Sequence, residues 1–281
     1  MNQPDLPQTI PNWIDGRASG PLKGETLAKF SPATGKEMCR VARSRSADVS
    51  SAIDAAANAF PAWSDQTAAA RGDLLMAITH GMRRHRDEIA AMIAAETGMS
   101  VKAALAETAG AVVLGEFMAG EGRRLYGRTT TSATPHRHAM TVREPLGVAG
   151  LIIAANTPIA NVAWKVFPAL ICGNTAVLKA AEDTPGTAWW FGRIAHEAGL
   201  PPGVLNIVQG LGEEAGAPLV ADARVPVVSF TGSTAVGREI ARIAGSRLAR
   251  VSLELGGKNP LLVCDDADLE HAAQWTILSA F

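Results

Sequence analysis

The sequence predicts an α/β protein built on a doubly wound parallel sheet, with amino-terminal helices and a β-hairpin extension. Two observations carry that expectation. From Gly147 onward, short apolar runs alternate with helical segments. Those runs lack the polar alternation of a strand with one wet face, so helices must cover both faces of the sheet. Before Gly147 the rhythm is helical, with apolar residues three and four apart.

In order along the chain, Ser46 is placed to cap a helix whose apolar stripe is Val49, Ala52, Ile53, Ala56 and Phe60. Thr67 is placed to cap a second helix, carrying Leu74, Leu75, Ile78, Met82, Ile89, Met92 and Ile93, with Gly98 as its stop. A third runs from Val101 toward Gly120 or Gly122. Between Gly127 and Pro145, a threonine-rich stretch turning at Pro135 suits an extended, solvent-facing hairpin, with His136 and His138 as surface residues. The strands of the sheet are expected at Val148 to Ala155, Thr175 to Ala181, Val204 to Val208, Val225 to Phe230 and Arg250 to Leu255. Helices are expected at Ile159 to Cys172, Gly186 to Ala198, Glu213 to Ala221 and Thr234 to Gly245. Asp268 begins a last helix with Leu269, Ala272, Ala273, Ile277 and Ala280 on its apolar side.

Composition narrows the function classes. The 281 residues are 47% hydrophobic and 19% charged, enough for one large domain or one domain with appendages. A formal charge of -1, from 26 basic and 27 acidic side chains, supplies no field for a run of phosphates, so nucleic acid is not the expected partner. No uninterrupted apolar run approaches the roughly 18 residues of a membrane span. The stretch Met1 to Asp15 has three prolines and no basic segment ahead of an apolar one, so no membrane partner and a cytoplasmic location are expected. Cys39, Cys172 and Cys264 are widely separated and lack CxxC spacing, which points to buried free thiols and to no metal site.

The loop after the fourth strand, Phe230-Thr231-Gly232-Ser233-Thr234-Ala235-Val236-Gly237, suits a phosphate. A small residue at the strand-to-helix turn leaves helix N–H groups and a positive dipole end available to an anion. The same glycines serve tight turns and close helix–sheet packing equally well, so spacing alone leaves both readings open. No GxGxxG fingerprint follows any of the strands.

The stretch Val251-Ser252-Leu253-Glu254-Leu255-Gly256-Gly257-Lys258-Asn259-Pro260 resembles the catalytic-glutamate motif of the NAD(P)-dependent aldehyde dehydrogenases. Other segments match that family in order. They are Glu144 to Val148, Ala154-Ala155-Asn156-Thr157-Pro158, Trp164-Lys165, Pro168-Ala169-Leu170, Gly173-Asn174-Thr175 with Lys179, and Glu182-Asp183-Thr184-Pro185. Phe30 to Gly35 and Ala55 to Trp63 are similar to the family's opening, so the resemblance covers nearly the whole chain.

The resemblance implies a set of roles. Asn156 would donate its amide to the oxyanion formed when a thiolate attacks an aldehyde. Glu254 would act as general base on the water that releases the acid, a task suited to a partly buried carboxylate. Lys179 and Glu182 would hold the adenosine ribose, with Glu182 repelling a 2′-phosphate, so NAD is favoured over NADP. Gly232 and Ser233 would contact the pyrophosphate, and Gly212, Gly237 and Gly256 complete the cofactor set. The family's nucleophilic cysteine lies farther downstream than the 27 positions after Glu254 (281 minus 254). The chain is therefore expected to be the amino-terminal portion of such an enzyme, inactive alone and a homo-dimer or tetramer when complete. The alternative is a natural short nucleotide-binding or subunit-interaction module.

On that frame, residues 1–126 and 147–257 form the NAD-binding domain, 127–146 an oligomerisation hairpin and 258–281 the start of the catalytic domain. One departure is Ala154-Ala155, where the family commonly has Pro-Trp, which puts cofactor affinity in question. Thr157, Ala160, Asn161 and Trp164 fall on one helix face that would help line the aldehyde tunnel. Two polar residues there point to a polar semialdehyde. A short-chain dehydrogenase is excluded, because the only tyrosine, Tyr126, is followed four residues later by Thr130 and not by lysine.

Overall fold

A computed structural model describes residues 6–280. Five short strands open the chain: β1 (Thr9–Ile10), β2 (Asn12–Ile14), β3 (Arg17–Ser19), β4 (Thr26–Phe30) and β5 (Glu37–Ala42). Four helices follow, α1 (Ser46–Ser64), α2 (Ala68–Arg84), α3 (Arg86–Thr97) and α4 (Val101–Glu121), and then the hairpin β6 (Thr129–Thr131) and β7 (His138–Met140). The remainder alternates: β8 (Val148–Ile152), α5 (Pro158–Ile171), β9 (Thr175–Lys179), α6 (Pro185–Glu197) and β10 (Leu205–Val208). A π-helical turn (Gly212–Gly216) runs into α7 (Ala217–Ala221), followed by β11 (Val227–Gly232), α8 (Thr234–Ser246), β12 (Arg250–Leu255) and α9 (Leu269–Ala280).

The main sheet has the order β12-β11-β8-β9-β10-β2-β3, in which β8 to β12 are parallel as expected and β2 and β3 add an antiparallel edge. One face packs Ala149, Leu151, Ala176, Leu178, Leu205 and Ile207 against the helix layer containing α2, α4, α5 and α6. The other packs Val148, Ile152, Val177, Val208, Val228 and Phe230 against α1, α7 and α8. Burial on both faces is why β8, β9 and β10 read as largely apolar runs, whereas β12 is exposed along most of its length. A second sheet, β1-β5-β4, lies outside the expectation, as do β2 and β3.

Several boundaries differ from the sequence reading. Ser46 is the first helical residue and not the cap of α1; the Asp48 carboxylate accepts from the Arg45 N–H at 2.9 Å and from the Leu22 N–H at 2.7 Å. The helix expected from Thr67 to Gly98 is two helices broken at His85, although Thr67 caps the first at Ala70 N and Gly98 ends the second at φ 76°. The segment Glu213 to Ala221 begins as a π-helical turn. Cys39 is buried, its thiol pushed up to about 11 by burial, but Cys172 and Cys264 are exposed, and Cys264 lies in coil and not in a strand. α9 forms as expected from Asp268, whose carboxylate accepts from His271 N at 2.9 Å, yet Leu269 and Ile277 are exposed. Phe281 and the Ala280 side chain lie outside the described residues, as do the first positions of the Met1 to Asp15 stretch.

α4 is, among the described helices, the one long and apolar enough to cross a membrane by length and composition. In the fold, its buried residues Ala104, Thr108, Ala111, Val112, Leu114, Gly115 and Ala119 belong to a helix packed against α2, α3 and α5. A Cβ at Gly115 would stand 2.5 Å from Thr79 Oγ1 and 2.9 Å from the Phe167 ring, so the absent side chain is what admits that approach.

The start of α6 is capped from a distance. Thr184 makes no side-chain cap bond; instead the buried Glu96 carboxylate accepts from Gly186 N (2.6 Å), Thr187 N (3.0 Å) and Thr187 Oγ1 (2.7 Å). Burial raises this carboxyl to about 7, against the lowering effect of those three donors and of Lys29. Between the ordinary value of 4.5 and about 7, the folded state therefore binds a proton that the unfolded chain has released. Stability is expected to fall as pH rises through that window. Glu96→Ala should flatten that slope and cost about 3 kcal/mol, because three buried donors lose their acceptor. Urea melts between pH 5 and pH 8 are the check, and an unchanged slope would contradict it.

Candidate active site at the carboxyl ends of the strands

Register brings the site residues to one edge of the sheet. Leu253, Phe230, Ile152, Lys179 and Val208 form one rung across β12, β11, β8, β9 and β10. Glu254, opposite Thr231, stands one residue beyond that rung. The segments carrying Asn156, Glu182, Gly212 and Gly232-Ser233 follow the strands at the same edge. The chain winds β8-β9-β10 to one side and returns for β11-β12 on the other, so β8 and β11 flank the point where strand order reverses. Crevices at such switch points, outside the carboxyl ends of the strands, are where open α/β sheets bind ligands.

Asn156 is exposed and belongs to neither helix nor strand. Its Oδ1 accepts from Asn161 Nδ2 at 3.0 Å, and its own Nδ2 has no partner among the described residues. Asn156 does not cap α5: the cap position is Thr157, whose side chain makes no cap bond, while Glu107 of α4 accepts from Ile159 N at 2.9 Å and Ala160 N at 3.1 Å. Asn161 is 7% exposed and also donates to Thr157 Oγ1 at 3.1 Å. Its amide is thus turned into the protein, which corrects the expectation that it helps form an open tunnel wall. Trp164, on the same face, is 63% exposed.

Glu254 is exposed, so the partial burial expected of this carboxylate is not present in this chain. Paired strand residues share a face, which puts Glu254 on the same side of the sheet as Thr231 and therefore as Ser229, two residues earlier. From that side Lys165 of α5 reaches in, its Nζ donating to Ser229 Oγ at 2.9 Å. Burial pushes the Lys165 ammonium down to about 8, and the Glu254 charge acts in the opposite direction. Sequence reasoning had Lys165 only as part of a motif. The signal it missed is a lysine three residues after Val162, on the buried stripe of α5.

The cofactor set divides into two kinds of position. Lys179 is buried at the end of β9, with its Nζ 2.5 Å from Oε2 of the more exposed Glu182. Ser233 caps α8, its Oγ accepting from Val236 N at 3.3 Å, so Thr234 N and Ala235 N have no partner among the described residues. Gly237 and Gly232 are crowded by neighbouring side chains: a Cβ at Gly237 would stand 2.5 Å from the tip of the exposed Leu255 side chain, and one at Gly232 would strike the Phe230 ring. Gly212 and Gly256 have open space where a side chain would be. A dinucleotide fits this arrangement, with two unpartnered helix N–H groups, an ion pair at a strand end and two uncrowded glycines. No group of three or more His, Cys, Asp or Glu residues suited to a metal occurs among the described residues.

Residues 21–281 match the model of the aldehyde dehydrogenase family. The mitochondrial benzaldehyde dehydrogenase of Antirrhinum majus is 39% identical over 95% of this chain and 51% of its own length. The D-glyceraldehyde dehydrogenase (NADP(+)) of Thermoplasma acidophilum is 38% identical over 92% of this chain and 53% of its own. Among solved structures, a point mutant of betaine aldehyde dehydrogenase from Staphylococcus aureus, in complex with NAD+, superposes with a TM-score of 0.94 at 31% identity, covering 97% of this chain and 55% of that one. The chain thus spans about half the length of the curated relatives it matches. With the family model matched over residues 21–281, the chain belongs to the aldehyde dehydrogenase family.

Proposed function

We propose that this protein serves the NAD-dependent oxidation of an aldehyde to a carboxylic acid, with the acyl group carried on a cysteine outside these 281 residues. The observation that supports it most is the Asn156 amide, whose oxygen is tied back by Asn161 while its nitrogen is left to donate. In this reading, Asn156 Nδ2 hydrogen-bonds the oxygen that gains charge as the carbonyl becomes tetrahedral. Glu254 takes a proton from the water that attacks the acyl group. Lys165, down to about 8 on the same sheet face, holds or releases a proton beside Glu254 near neutral pH.

Bound NAD supplies the two-electron acceptor. Thr234 N, Ala235 N and Ser233 would hold its pyrophosphate and Lys179 with Glu182 its ribose, while Gly212 and Gly256 leave it room. We propose the domain division 1–126 with 147–257, 127–146 and 258–281, a homo-oligomer formed through the exposed hairpin, and a cytoplasmic location. The relatives include an enzyme named for NADP(+) and a complex with NAD+, so the NAD preference rests on Glu182 alone. A preference for polar semialdehydes rests on the half-buried Thr157, with the small Ala160 beside it leaving room, and not on Asn161. A short nucleotide-binding module would use the same crevice without turnover.

Fluorescence titration of the 281-residue protein with NADH and NADPH tests the cofactor half of the proposal. NADH is expected to bind about tenfold more tightly, or about 1.4 kcal/mol, and Glu182→Ser should narrow or reverse the difference. Equal affinities in the unmutated protein would remove the preference, and binding of neither would remove the site. Reduced-cofactor formation at 340 nm with an aldehyde panel, in the protein that joins this chain to the rest of the family's length, tests the reaction.

A further inference from the structure

We propose that Asn161 is a positioning residue that fixes the orientation of the Asn156 amide, an inference that rests on Asn156 being the oxyanion donor. Asn156 stands in a loop and is exposed, so nothing in its own backbone selects which end of its amide faces the crevice. The terminal torsion of an asparagine is broad and roughly two-fold, and the two ends have opposite character. With the nitrogen outward, the amide donates to a developing oxyanion. With the oxygen outward, it repels one.

Asn161 removes that ambiguity. Its Nδ2 lies 3.0 Å from Asn156 Oδ1, 3.1 Å from Thr157 Oγ1 and 3.4 Å from the Ala154 carbonyl oxygen, and the last of these, which can only accept, sets which end of the Asn161 amide faces the group. Since Asn161 Nδ2 is a donor, the Asn156 atom facing it must be the oxygen, and the nitrogen is turned the other way. The frame is itself anchored. Asn161 is 7% exposed and sits one turn into α5, whose first N–H groups are gripped by Glu107 across the α4 interface. The contact joins a buried helical residue to an exposed loop residue, the arrangement by which a rigid element preorganises a reactive one.

Two substitutions separate this role from a structural one. Asn161→Asp keeps the shape but replaces the donor by an acceptor that attracts Asn156 Nδ2, so it should turn the amide the wrong way. Asn161→Leu leaves it free. In the full-length enzyme, kcat is expected to fall about tenfold for Leu and further for Asp, with KM little changed, because the oxyanion exists only in the transition state. In the 281-residue protein, 15N relaxation of the Asn156 side-chain amide should report a rigid group in the wild type, near the backbone order parameter of about 0.85, and a mobile one, below about 0.6, in the Leu variant. An unchanged order parameter, or equal kcat for Asn, Leu and Asp at position 161, would overturn the proposal. Should the Leu variant fail to fold, the near-isosteric Asp variant decides alone, by loss or retention of kcat. If Asn156→Ala leaves kcat intact, the oxyanion assignment itself fails. If Asn156→Ala lowers kcat and the position-161 variants do not, only the positioning role fails.

Discussion

Glu254→Gln is expected to lower steady-state turnover about 10²–10⁴-fold in the full-length enzyme while sparing its first turnover. Glutamine matches glutamate in size and still accepts a hydrogen bond, but it cannot take a proton from water. Acyl formation does not need that proton transfer and acyl release does. A rapid burst of about one reduced cofactor per site should therefore remain, followed by a nearly flat phase. The strand itself should be indifferent to the change, since Glu254 is exposed on β12 and the register Thr231↔Glu254 is held by main-chain bonds. Two results would count against the assignment: wild-type turnover in the variant, or loss of the burst along with the steady state. The 281-residue protein alone is expected to give neither burst nor turnover. Activity abolished by Cys172→Ala or Cys264→Ala would reverse that reading of the two exposed thiols.

The centre of the parallel sheet was legible because both of its faces are buried there, which leaves β8, β9 and β10 without an exposed position. The opening strands were not. β1 and β2 are two and three residues long and take their register from β5 and β10, distant partners that a local pattern does not contain, while β3 pairs with β2 across the Asp15-Gly16 turn, a local hairpin signal that went unread. The break at His85 was invisible for another reason. Met82 and Ile89 are seven residues apart, so the helical period runs across the break as if the axis were continuous, and both side chains are fully buried.

Site residues show the same division between local and distant causes. That the loop from Phe230 to Gly237 turns from strand into helix was evident in its composition. Which of its glycines are crowded was not, because the Leu255 side chain that approaches Gly237 comes from the next strand. Asn161 was read as part of a wall because helical spacing groups it with Thr157 and Trp164. Its hydrogen bond to Asn156 depends on how the loop before α5 folds back, which spacing does not encode. Glu96 lies 90 residues from the helix start it caps and had no local signature at all.

Asn156→Ala is expected to lower kcat about 10²–10³-fold, and the geometry says why the loss should fall on kcat and not on KM. The ground-state carbonyl is a weak acceptor, while the oxyanion in the transition state is a strong one, so a donor aimed at it stabilises the second far more than the first. Stability should change by no more than about 0.5 kcal/mol, because Asn156 is exposed and its hydrogen bond to Asn161 lies at the crevice edge and not in the core. Asn156→Asp sharpens the test. A carboxylate at this position still accepts from Asn161 Nδ2, so the loop keeps its anchor, but its second oxygen now faces the developing negative charge. The Asp variant should accordingly be slower than Ala, which merely removes the donor. An Asp variant faster than Ala would mean that Asn156 acts by holding the loop and not by donating to the oxyanion, since only the loop-holding role survives that substitution.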